Sequence, residues 1–213
     1  MLPPATEKVW NFLKELPALT GFVLIGGSAL ALRLQHRRIE GLDLAYRQPA
    51  LPRARLQTLL QQPGDAGFDF QRDDDEAAVQ GFVVAGLELH DYQQDLLVNH
   101  SVNVFFFTAD DALVKVLSTH PEQPVRVATL RELFKAKCLV SALRSKTRDW
   151  LDLFLLMRDH GFSIHDYQAA FREAGIESQC GIGLSRLCSA VPQKDDEGYA
   201  HFVGPPTGPR GHE

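Results

Sequence analysis

Two sets of residues in this chain have the types and spacing that suit work on phosphates. The first is Gly26-Gly27-Ser28, which follows the apolar run Gly21 to Ile25 and precedes the Ala/Leu-rich stretch Ala29 to Gln35. A strand running into glycines that open a helix lets backbone approach an anion closely, and the first free amides of the helix then point at it. A tight strand-to-helix turn is the other reading of the same triplet. The second set is Lys137, Arg144, Lys146 and Arg148, followed by Asp149 and Asp152. Lysine meets an anionic oxygen as a point charge and arginine as a two-pronged fork. The two aspartates stand at i and i+3, on one helical face, where they orient those bases or one of them takes a proton from an acceptor hydroxyl. A charged connection between two amphipathic helices would read similarly.

The elements that must position these residues are legible in outline. The spacing predicts a first helix capped by Thr6 and ended by Pro17, a buried strand over 21–25, a helix from Gly26, and a strand from Leu42 to Tyr46. A helix through Leu56, Leu59 and Leu60 follows. Strands are then predicted over 67–71, 77–85, 87–90 and 102–108, with Asp73-Asp74-Asp75-Glu76 as a solvated hairpin loop and Asp110 as a helix cap. After Pro124 the pattern is helical: a capping box of Thr129 and Glu132, a second helix from about Thr147 to Gly161, and two more over about 164–174 and 181–190. The expected fold is α/β (α+β), a mixed sheet with flanking helices over 1–124, a helical half over 125–192, and a poorly structured tail over 193–213.

Composition narrows the classes of function. The 213 residues carry a net charge of −5, which disfavours a general nucleic-acid coat but leaves room for a local basic cleft. No apolar run approaches the ~20 residues needed to span a bilayer, and the N-terminus has no secretory pattern. Three cysteines without zinc-like spacing suit reduced thiols and a cytoplasmic location. Cys138 reads as a small buried apolar residue, and His36 either as a capping histidine or as one facing substrate.

Taken as a longer string, Gly26-Gly-Ser-Ala-Leu-Ala-Leu-Arg-Leu-Gln-His-Arg37 and then Gly41-Leu-Asp-Leu44 resemble the opening of the AbiEii-type toxin nucleotidyltransferases. Those proteins read GG[TS]-A-L-A-L-x-L-x-H-R, then a serine, then D-L-D on the next strand. A second segment, Ala136-Lys137 with Arg144 to Asp152, is similar to the family's [MA]-K helix, basic turn and R-D-x-x-D. The resemblance implies a nucleotidyltransferase fold and a magnesium-bound nucleoside triphosphate. It also implies transfer of a nucleotide to a macromolecular acceptor, RNA in some relatives, and a toxin–antitoxin or phage-defence setting with a cognate antitoxin. By position it assigns phosphate binding to Gly26, Gly27, Ser28, Lys137, Arg144, Lys146 and Arg148, magnesium to Asp43, and catalysis to Asp43, Asp149 and Asp152.

The departures from the pattern matter as much. Ile39 falls on the family's serine and Gly41 on its first aspartate. Residues 41 and 43 would share a strand face, and glycine offers no ligand there. Glu40 reaches that face only through a bulge. The segment Val102 to Phe107 resembles the family's K-V-[DS]-F-F, with Asn103 in place of lysine and Phe105 in place of the aspartate or serine. One assured carboxylate is a poor magnesium site. The sequence therefore supports two functions: a nucleotidyltransferase, or a module that binds nucleotide, RNA or a partner without transferring anything.

Overall fold

The computed structural model describes residues 1–61, 67–118, 124–196 and 198. Six strands form one mixed sheet: β1 (Phe22–Ile25), β2 (Leu42–Tyr46), β3 (Phe70–Arg72), β4 (Gln93–Val98), β5 (Val102–Thr108) and β6 (Val125–Val127), in the order β3-β4-β5-β2-β1-β6. β2 and β5 run parallel, as do β1 and β6, while β1–β2, β3–β4 and β4–β5 are antiparallel. The helices are α1 (Pro4–Leu13), α2 (Gly26–Leu34), α3 (Arg53–Gln61), α4 (Glu76–Val84), α5 (Leu89–Tyr92), α6 (Asp111–Val116), α7 (Leu130–Ser141), α8 (Thr147–His160), α9 (Ile164–Ala174) and α10 (Cys180–Ser189). This is the mixed sheet with flanking helices, followed by helices, that the sequence predicts.

The two faces of the sheet differ in a way that creates the site. Phe22, Leu24, Leu44, Val104, Phe106, Leu96 and Val98 are sealed into the core. The opposite face carries Asp43, Asn103, Phe105, Phe107, Gln93, Asp95 and Leu97, none of which is fully buried. Strand residues alternate between faces, so one face is core throughout, while the other is buried at Val23, Ile25 and Ala45 and open from Asp43 across β5 and β4. The last strand, β6, lies beyond Pro124 and pairs with β1, so the chain adds to the sheet before it enters the helical half. Arg33 ties the same corner together, donating from Nε to the Ala128 carbonyl at 2.6 Å and from Nη2 to the Val127 carbonyl at 3.1 Å.

Several expected elements take another form. Residues 77–85 form helix α4 rather than a strand, and the acidic run before it is no hairpin loop. The Asp75 carboxylate accepts the Ala78 amide at 2.9 Å, which is an N-cap, and helix satisfies the backbone internally where no strand partner is available. The apolar letters mislead because α4 buries none of its residues, and Val84 is 87% exposed. Leu87 to His90 gives way to the helical turn α5, and the expected strand over 67–71 is confined to β3. Thr6 is no cap: Pro4 sits at the start of α1, and the Thr6 hydroxyl donates to the Glu40 carbonyl at 3.2 Å. Helix α1 ends at Leu13, ahead of a separate 3₁₀ turn over Pro17–Leu19. Strands β4 and β6 have no counterpart in the sequence reading. Residues 199–213 of the expected tail lie outside the described residues. Just before them, Lys146 Nζ pairs with Asp195 at 2.7 Å and the Thr147 amide donates to Asp196 at 3.0 Å.

The junction between sheet and helices is clamped by Glu132. Its carboxylate accepts Arg126 Nη1 and Nη2 at 2.9 Å each, Ser118 Oγ at 2.6 Å and the Thr129 amide at 2.7 Å, completing the expected capping box. Burial alone would raise this carboxyl, but bonds from Arg126, Ser118 and Thr129 outweigh burial and bring it down to about 2. A depressed carboxyl stabilises the fold above its unfolded value of 4.5, and the contribution fades as pH falls from there towards 2. Glu132→Gln should cost about 3 kcal/mol at pH 7, because Arg126 is left buried without its counter-charge. Thermal melts from pH 7 to pH 3 should show the gap between wild type and variant closing below about pH 4.5.

Candidate functional site

Helix α7 places Lys137 in the buried stretch Leu133, Phe134, Lys137, Cys138, where the residue is only 5% exposed. An ammonium in such a place must be paired. Lys137 Nζ meets Asp149 Oδ1 at 2.6 Å and Asp152 Oδ2 at 2.7 Å, and both aspartates are wholly inaccessible. Asp152 also accepts Arg37 Nε at 3.1 Å and Arg37 Nη2 at 3.0 Å, and its Oδ1 lies 2.7 Å from His36 Nε2. Asp149 accepts Arg144 Nε at 2.7 Å. Burial pushes both carboxyls up, but Lys137 with Arg144 more than reverses this at Asp149, and Lys137, His36 and Arg37 do so at Asp152. Both stay ionised and fully engaged.

Neither aspartate lines the cleft, and each has its oxygens engaged by cations, which is the orienting arrangement, one of the two that the sequence offers. His36 is likewise turned inward to Asp152 and does not face the cleft. The signal for Arg37 was present in the sequence, as the arginine of the His36-Arg37 pair that closes the glycine-loop string, although its role as the anchor of Asp152 was not.

The glycines serve this network directly. Gly26 has φ +69°, and a Cβ there would collide with Asp43 Oδ2. A Cβ on Gly27 would stand 2.7 Å from Arg37 Nη2 and 3.1 Å from Ile39 Cδ1. Helix α2 starts at Gly26 without a side-chain cap, so its first amides lack the side-chain partner that helix starts usually acquire. Ser28 is placed differently from expectation: it is buried, and its hydroxyl donates back to the Ile25 carbonyl at 3.3 Å.

Around these elements lies a cleft of about 530 Å³. Gly26, Gly27, Asp43, Lys137, Arg144 and Arg148 all line it, so the glycine bend and the cations of the helical half meet as the sequence reading required. Lys146 does not line it; it turns to Asp195. Five cationic side chains (Arg37, Arg38, Lys137, Arg144 and Arg148) face the cleft against two carboxylates, Glu40 and Asp43. An acidic chain thus carries a local basic pocket. Burial raises the Asp43 carboxyl, opposed by Lys137, Arg148, Arg144 and Arg37.

The donor set does not fit a pair of divalent cations. No group of three or more His, Cys, Asp or Glu among the described residues is placed to hold a metal ion. The residue in register with Asp43 on β5 is Phe105, and Gly41 contributes no oxygen from its side chain. Glu40 is exposed at the cleft wall outside β2. Asp43 is surrounded instead by lysine and arginine.

A mixed sheet bearing a glycine bend on one side and a basic helical wall on the other is the architecture of an α/β protein of nucleotidyltransferase type. The profile of the family "Nucleotidyl transferase AbiEii toxin, Type IV TA system" matches residues 12–205, and the chain belongs to that family. Among solved structures it is similar to JHP933 from Helicobacter pylori, at 16% identity over 89% of this chain and 95% of that one, with a TM-score of 0.47. It is also similar to a candidate nucleotidyltransferase from H. pylori, at 14% identity over 87% and 95% of the two chains, with a TM-score of 0.43. No curated protein matches it significantly. The family works with nucleotides and generally with a divalent metal, and no helix among the described residues is long and apolar enough to cross a membrane.

Two substitutions test the internal network. Gly27→Ala should lower stability by about 2 kcal/mol, because Arg37 cannot retreat without leaving Asp152. Asp152→Asn should cost about 3–5 kcal/mol by leaving Lys137 and Arg37 under-neutralised. Denaturant melts that place either variant within experimental error of wild type would show that the cluster is not the anchor described.

Proposed function

We propose that this chain binds a nucleoside triphosphate in the cleft, its triphosphate lying between the amides at Gly26 and Gly27 and the side chains of Lys137, Arg144 and Arg148. The observation that carries the proposal is the convergence of that bend and those cations on one pocket. Arginine offers the phosphate oxygens paired donors, and Lys137, held by two aspartates, offers a charge fixed in place. As a nucleotidyltransferase toxin it would pass the nucleotide to a macromolecular acceptor, with RNA as the class the resemblance implies. It would work in the cytoplasm, in phage defence, opposed by an antitoxin partner.

A second reading is favoured by one specific observation, the missing carboxylates around Asp43. With Gly41 and Phe105 in place, the site holds nucleotide and has no metal clamp through which to transfer it. Room for a repair exists: a Cβ on Gly41 would stand 3.5 Å from the Asn103 carbonyl oxygen and 3.8 Å from its Cβ, ordinary contact distances.

Calorimetry with each nucleoside triphosphate, in magnesium and in EDTA, separates these readings. Binding should survive EDTA, and Arg148→Gln should weaken it about tenfold, the worth of one charged hydrogen bond. Asp43→Asn should tighten binding in EDTA, since it removes a negative charge from an anion site; weaker binding in magnesium but not in EDTA would mean that Asp43 acts through a metal. Incubation of wild type with magnesium, labelled triphosphates and total RNA should label the RNA if the chain is a transferase. Transfer gained only by Gly41→Asp would assign the wild type to the binding module. No binding of any triphosphate would end the cleft proposal.

A further inference from the structure

The open face of the sheet continues past the basic cleft, and what it offers there is aromatic. Cross-strand register sets Ile25, Asp43, Phe105 and Asp95 in one row across β1, β2, β5 and β4. Phe107, two residues along β5, lies on the same face as Phe105, and the two rings stack with centroids 5.0 Å apart and planes 15° from parallel. Both line the cleft, and both keep part of their surface accessible. The third cleft-lining residue of β5 is Asn103, an exposed side chain with donors and an acceptor. Phe107 packs in part against the core, whereas Phe105 is not among the residues that do, and the fully buried phenylalanines of this sheet (Phe22, Phe106) are on its other side.

We infer that Phe105 and Phe107 form a stacking platform for the base of the nucleotide whose triphosphate occupies the basic cleft, with Asn103 set to hydrogen-bond the edge of that base. The inference rests on the cleft reading above and adds the subsite for the other end of the ligand. Strand spacing supports the reach. Phe105 is two strands from β1, at whose end Gly26 begins, so the separation is about 10 Å, within the span of a nucleotide from phosphate to base. Aromatic rings hold a base by its face, whichever base it is, and hydrogen bonds at its edge then discriminate.

The far end of the row selects a mononucleotide over a strand of RNA. Asp95 lies beyond Phe105, its amide donates to Asp74 at 3.2 Å, and the Asp73 amide donates to the Asp95 carbonyl at 2.9 Å. Burial and the neighbouring Asp74, Asp73, Asp43 and Asp75 push its carboxyl up to about 6, a sign of how crowded with negative charge this end is. Arg72 and His90 both pair with Asp74, at 3.7 and 2.7 Å, which leaves Asp73, Asp75 and Asp95 as the surplus charge that a chain of phosphates leaving the platform in that direction would meet, whereas a single base ends before them.

The test compares nucleoside triphosphates with inorganic tripolyphosphate by calorimetry in EDTA, using wild type, Phe105→Leu and Phe107→Leu. Both positions are partly exposed, and thermal melts check that the variants fold. Wild type should bind at least one nucleoside triphosphate about tenfold more tightly than tripolyphosphate, within the range of what one stacked base contributes. Both leucine variants should lose that advantage and keep their affinity for tripolyphosphate. Wild-type binding of tripolyphosphate as tight as that of every nucleoside triphosphate would overturn the platform and leave the cleft reading standing. Failure of both ligands to bind would overturn both readings. A single-stranded tetraribonucleotide that loses affinity in Phe105→Leu, while nucleoside triphosphates do not, would overturn the assignment in favour of an RNA base.

Discussion

Lys137 is the charge around which the rest of the site is organised. It reaches the interior from α7 and is met there by two aspartates of α8, 2.6 and 2.7 Å away. An unpaired ammonium in that position would cost several kcal/mol, and two unpaired carboxylates would cost more. The pairing therefore fixes α8 against α7. Through Asp152 it also fixes Arg37, and with it the chain that runs from α2 to β2. One cluster thereby holds the helical half to the glycine bend, and the cleft is the space left between them.

The same cluster explains why glycine is needed twice in succession. Gly26 yields room to Asp43, and Gly27 yields room to an Arg37 that Asp152 will not release. The bend could be read as a device for phosphate alone. In the structure it is also a packing requirement of the protein's own charges. The two explanations are compatible, since an amide close to a guanidinium and free of a side chain is where an anion is best received.

Electrostatics divide the open sheet face into two territories. Over β1 and β2 it is ruled by lysine and arginine, and beyond β5 by aspartate, with phenylalanine between them. A ligand with an anionic end and a flat neutral end matches that division. The family pattern puts an aspartate where this chain has Gly41, and an aspartate or serine where it has Phe105.

The sequence by itself determined the parts whose signals are local. The strand–glycine–helix unit at 22–34, the capping box of Thr129 and Glu132, the αL stop at Gly161 and the helix over 164–174 need only neighbours in the chain to form. So does the long string from Gly26 to Arg37, which carried the family resemblance. What depends on distant partners was decided by tertiary structure. β4 begins with two glutamines and an aspartate and becomes a strand because β5 pairs with it, through a turn in which Asn99 and His100 take left-handed conformations. Residues 77–85 have the apolar letters of a strand and form a helix because Asp75 caps them and no partner strand is there. Above all, spacing could show that Asp149 and Asp152 share a face, but whether that face looks at a substrate or at Lys137 is a matter of which helix packs opposite, and the opposing helix was α7.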